Sequence, residues 1–80
     1  MLSQTDHLSL RFGQVVRHYR GLAGMSQEEL ADAAGLHRTY VSLLERGRRN
    51  PSLHVINTLA MALGISVVQL ISDIEINKVG

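Results

Sequence analysis

Apolar residues recur along this chain at helical spacing, in blocks separated by glycine or by a serine or proline break. No segment alternates in the way a half-buried strand requires. The first block predicts a helix over about residues 10–21, with Phe12, Val16 and Tyr19 on one face. Gly13 weakens its start. Residues 1–8 have no clear period and are expected to fray, so residues 1–9 read as a flexible N-terminal segment. A second helix starts at the capping box Ser26-x-x-Glu29, with Met25 and Leu30 in the staple positions. Leu30, Ala31 and Ala34 give it a small apolar face that lets a neighbour approach closely. Gly35 turns the chain and Leu36 plugs the corner.

The third helix is expected over about residues 37–46, ending at Gly47, with Val41 and Leu44 pointing inward. Arg38, Thr39, Ser42 and Arg46 fall on its other side, linked by steps of three and four. Ser52 caps a fourth helix that ends near Leu63 and Gly64, with a stripe of Leu53, Ile56, Leu59, Ala60 and Leu63. Ser66 and Gln69 form another capping box for a fifth helix, over about residues 67–75. The expected fold is all-α: a compact five-helix domain over residues 10–75, with a C-terminal tail at 76–80. The second and third helices, joined by a tight glycine turn, have the form of a helix-turn-helix. In that motif the second helix enters the major groove of DNA.

Charge sharpens this expectation. The net charge is only +1, but seven of the eight basic residues lie between Arg11 and Arg49, and all seven are arginines. Arginine suits planar phosphate and base-edge contacts better than lysine does. Beyond residue 50 the only charged residues are Asp73, Glu75 and Lys78, so the two halves predict different surfaces with different partners.

Other classes find little support. With no cysteine, neither a disulfide framework nor a cysteine-based zinc site is available, which fits a reducing, cytoplasmic setting. Gln4, Asp6 and His7 stand where a signal peptide would be apolar, and no run reaches the ~18 apolar residues of a membrane span. The histidines His7, His18, His37 and His54 form no i, i+4 pair, so no metal is expected. No nucleophile elbow, phosphate loop or metal spacing gathers the serines, histidines and acids, so neither an enzyme nor a cofactor is expected. A protein-interaction module on the same fold is the competing class. The polar residues Arg38, Thr39 and Ser42 on the third helix speak against it, while Leu43 on that helix leaves a small opening.

From Phe12 to about Ile71 the chain closely resembles the Xre/Cro-type helix-turn-helix family of phage repressors. The carrying residues are S-Q-E-E-L-A at 26–31, Gly35, V-S-L-L-E-R-G at 41–47 and R-N-P-S-L at 49–53. Within the family, L-H-R-T-Y-V-S at 36–42, with E-R-G at 45–47 and R-N at 49–50, looks like the controller proteins of restriction–modification systems. The resemblance implies a small cytoplasmic regulator that binds a near-palindromic double-stranded DNA operator as a homodimer and controls its own gene. RNA polymerase is a further partner it implies. A phage, mobile-element or antitoxin-type repressor is the alternative within the family.

Each site residue then has an expected role. Arg38 reads bases, since a guanidinium can grip guanine O6 and N7 together. Thr39 reaches a base edge or a thymine methyl, and Ser42 sits one turn on. Tyr40 flanks them, with its ring against the domain and its hydroxyl toward the backbone or a base. Gln27, at the first turn of the second helix, is expected on a phosphate, as the family uses it. His37, Arg46, Arg48, Arg49 and Asn50 complete the phosphate contacts, which add affinity and salt dependence without sequence information. Arg20 and Glu45 match the positions at which phage-repressor relatives pair an arginine of the first helix with a glutamate of the third. Val55, Val67, Val68, Ile71 and Ile74 exceed what one small core takes up, and are expected at a dimer interface.

Overall fold

Five helices follow one another: α1 (Leu2–Leu22), α2 (Gln27–Ala34), α3 (Arg38–Glu45), α4 (Leu53–Leu63) and α5 (Val67–Val79). This computed structural model describes the backbone of residues 2–79 and the side chains of residues 7–74, and among the described residues there is no strand. α1 packs against α3 and α5, while α2 packs against α3 and α4. The largest fully buried side chains are Val15, Val16, Leu30, Val41, Leu44, Leu59 and Leu70, so every helix contributes to one core.

α1 starts at Leu2, well ahead of the expected start near residue 10. No glycine or proline interrupts the chain before Gly13, and inward packing reaches back to buried Ser9, while His7 and Leu8 are exposed. α5 likewise runs to Val79 rather than to about residue 75, because no breaker stands in its path.

Three details of the core differ from expectation, each for a geometric reason. Leu53 is 82% exposed, because it opens α4 where the stripe runs off the end of the core. Ile74 is only 6% exposed and belongs to the core. It follows half-buried Val67 and buried Leu70 at steps of three and four, on the side of α5 that packs against the core. Finally, the capping box expected at Ser66 and Gln69 forms only in part. Ser66 Oγ accepts the Gln69 N–H at 3.0 Å, but the Gln69 amide is drawn away to the Tyr19 hydroxyl at 3.1 Å. That hydroxyl in turn donates to Asp73, tying α1 to α5. The bond to Asp73 holds the Tyr19 phenol protonated, above its usual range.

Gly13 has a specific purpose in this packing. A Cβ built there would lie 2.2 Å from the Leu44 carbonyl oxygen and 2.6 Å from that of Glu45. Only a residue without a side chain lets α1 cross the end of α3 this closely.

Candidate nucleic-acid interface

The start of α2 is held as its sequence predicts. Ser26 Oγ accepts the Glu29 N–H at 3.0 Å, and Glu29 Oε1 accepts the Ser26 N–H at 2.8 Å. Gly35 closes α2 at a φ of 68°, and half-buried Leu36 packs into the corner before α3. Val41 and Leu44 are fully buried and anchor the inner side of α3. Its outer side presents exposed Arg38 and Thr39 and half-buried Ser42, followed by exposed Arg46. Leu43 is half-buried. Tyr40 packs against the core, and the Arg49 guanidinium lies over its ring, 6.0 Å from the centroid. His37 takes the N-cap position of α3 and is exposed, but its side chain makes no capping bond.

Behind this surface lies a charged lock. Glu45 Oε2 accepts from Arg20 Nε at 2.6 Å, and Glu45 Oε1 accepts from Arg20 Nη2 at 3.0 Å. The pair is therefore bidentate, and its side chains are 17% and 3% exposed for Arg20 and Glu45. The remaining guanidinium nitrogen, Nη1, donates to the Met25 carbonyl at 2.8 Å. Glu45 ends α3, where the helix dipole disfavours a carboxylate, so its buried charge depends on these donors. The carboxylate also pushes the Arg20 guanidinium above its usual range.

Gln27 joins this lock. Its amide Nε2 donates to Glu45 Oε1 at 3.0 Å, so the side chain expected on a phosphate also has a partner inside the domain. The charge at Glu45 competes for the donor, leaving one amide N–H for an outside partner. Through these bonds α1, α2 and α3 are fastened at a single carboxylate.

The segment after α3 carries the remaining basic residues. Gly47 adopts a φ of 75°, and a Cβ there would come within 2.7 Å of Leu10 Cα, so this turn rests directly on α1. Arg48, Arg49 and Asn50 are exposed beyond it. Arg46 Nε approaches the Ser42 carbonyl only loosely, at 3.5 Å, and keeps its guanidinium in solvent. Asn50 is not wholly free, because its Oδ1 accepts a hydrogen bond from Ser9 Oγ. Ser9 escaped the sequence reading. It sits one helical step before Phe12 and Gly13, so extending the α1 stripe backwards would have found it.

The residues expected at a dimer interface divide. Val68 is 74% and Ile71 40% exposed, one turn apart on the outer side of α5. Val55 and Val67 are half-buried and lean on the core, and Ile74 is withdrawn into it. Of these five residues, Val68 and Ile71 are the ones open to a partner.

The helix-turn-helix family model matches residues 16–70, which takes in α2, the turn, α3 and the helices that support them. The chain belongs to the Xre/Cro-like helix-turn-helix family. Family membership makes it a DNA-binding regulator and not an enzyme. Among its relatives, the control protein C.BamHI of Bacillus amyloliquefaciens is 47% identical over 68 residues, covering 84% of each chain. The restriction-modification controller protein C.AhdI of Aeromonas hydrophila superposes with a TM-score of 0.76 at 48% identity, over 78% of this chain and 94% of that one. The controller protein C.Esp1396I superposes with a TM-score of 0.85 at 29% identity, over 91% of this chain and 96% of that one. Within the Xre/Cro-like family, this chain therefore closely resembles the controller proteins of restriction–modification systems.

Among the described residues, no single helix is long and apolar enough to cross a membrane. Nor do three histidine, aspartate or glutamate side chains come together among them as metal ligands would.

Proposed function

We propose that this protein is a restriction–modification controller that binds a near-palindromic operator as a homodimer and regulates its own gene in the cytoplasm. The observation that carries the reading is the outer side of α3, where Arg38 and Thr39 are exposed beside Ser42 and the helix beneath them is anchored by Val41, Leu44 and Glu45. Arg38 is assigned to a guanine, with Thr39, Ser42 and Tyr40 reading neighbouring positions. His37, Arg46, Arg48, Arg49 and Asn50 are assigned to the phosphates on either side, together with the free amide N–H of Gln27.

Size supports the dimer. α3 has eight residues and spans about 12 Å, so a single copy reads only about four base pairs. So short a site recurs by chance too often to mark one promoter. Two copies related by a two-fold axis place their α3 helices ~34–36 Å apart and read two half-sites. Val68 and Ile71 are the proposed centre of the contact, with Val55 and Val67 at its edge. The activating side of such a regulator would need RNA polymerase as a further partner.

A salt titration of duplex binding tests the reading. Its expected result is a preference of ~10³-fold or more for one sequence over random DNA, with affinity falling steeply as salt rises. A shallow salt slope with no preference between duplexes would instead favour a protein-interaction module on the same fold.

A further inference from the structure

We infer that Ser9, in the N-terminal part of α1, is a positioning residue for a DNA-phosphate site formed by Arg48, Arg49 and Asn50; the inference rests on the DNA-binding reading above. A polar recess beside the end of α3 is lined by Ser9, Gly47, Arg48, Arg49 and Asn50. Two of these residues carry a guanidinium and none carries a carboxylate, so the recess suits an anion. An uncovered phosphate of the DNA backbone is the anion that lies beside a helix seated in the major groove.

Ser9 itself is buried and reaches the recess only through Asn50, whose Oδ1 accepts the Ser9 hydroxyl. A side-chain amide has one accepting end and one donating end. With the accepting end held inward by a hydroxyl donor, the Nδ2 end is the one that faces out. A phosphate oxygen only accepts, so the amide, as it is held against Ser9, presents the end that a phosphate needs. The loop is also fixed by a separate contact. Gly47 lies so close to Leu10 that a Cβ would come within 2.7 Å of its Cα. One turn further along α1, Gly13 sets the register against the carbonyls of Leu44 and Glu45. Ser9 is therefore held in place relative to the end of α3, and Asn50 with it.

The test compares the wild type with Ser9→Ala, Asn50→Ala and the double variant, using the highest-affinity duplex selected from a random library. Ser9→Ala is expected to weaken binding about 3- to 10-fold, the worth of one directed hydrogen bond, when binding is measured well below the melting temperature of the variant. On the Asn50→Ala background the same substitution is expected to have no further effect. The amide is uncharged, so the salt slope stays at the wild-type value. Wild-type affinity in Ser9→Ala would overturn the inference, as would a loss that persists in the double variant. Asn50→Asp is an independent check. It keeps the acceptor for Ser9 but turns an oxygen outward, so it should bind more weakly than Asn50→Ala; equal binding would also overturn the inference. If the wild type preferred no duplex at all, the DNA-binding reading would fall first and this inference with it.

Discussion

Replacing Glu45 by alanine is expected to lower the stability of the domain by about 3 kcal/mol. The carboxylate accepts both Arg20 nitrogens and the Gln27 amide, and its side chain is 3% exposed. Removing it leaves the Arg20 guanidinium facing a void with its positive charge unanswered. Arg20 keeps 17% of its side-chain surface open, so water relieves part of that penalty and the loss falls at the lower end of the range for buried pairs. In a domain of this size, 3 kcal/mol is worth on the order of 15 °C in melting temperature. DNA affinity should fall as well, measured well below the new melting point, because the lock fixes α3 against α1 and α2. Replacing both partners by leucine is expected to recover part of the stability, since no charge is then stranded. Thermal denaturation checks each variant, and an unchanged melting temperature in Glu45→Ala would contradict the assigned role of the pair.

Gly13→Ala should have an effect of similar size from an uncharged cause. The new Cβ meets two backbone carbonyl oxygens, at 2.2 and 2.6 Å, and backbone cannot step aside as a flexible side chain does. α1 and α3 must separate, which costs about 3 kcal/mol at the upper end of ordinary overpacking. Gly21→Ala supplies the control within the same helix. Nothing lies within 4 Å of a Cβ there, so alanine should stabilise the domain by about 0.5 kcal/mol through its better helix propensity. Opposite signs for the two substitutions, in denaturant melts, would place the effect in the α1–α3 crossing. A loss at both positions would point to helix propensity being misjudged instead.

Gly13 illustrates where sequence reasoning stops. In one dimension it is a weak helix former near a helix start. In three it is the point at which α1 crosses α3, and nothing local marks that. Ser9 and Tyr19 behave similarly, because their partners Asn50 and Asp73 lie far along the chain. The features that were legible are those governed by neighbours in sequence: the Ser26–Glu29 capping box, the glycine turn at 35, and the opposition of Val41 and Leu44 to Arg38 and Thr39 on α3. The excess of apolar positions on α5 was legible too, but not which of them the molecule would bury. Ile74 and Val68 look alike in a list of residues, and only the packing of α5 on the core separates them.

The central claim is that α3 reads base edges with Arg38 at its centre. Selection of bound duplexes from a random library, run in parallel on the wild type and on Arg38→Ala, tests it most directly. The wild type should enrich a two-fold repeat whose half-sites lie about one helical turn apart. Arg38→Ala should melt at the same temperature, bind the selected duplex more weakly by about 1–3 kcal/mol per half-site, and lose its preference at one base pair in each. Identical selected sequences from the two proteins, or no enrichment from either, would contradict the account.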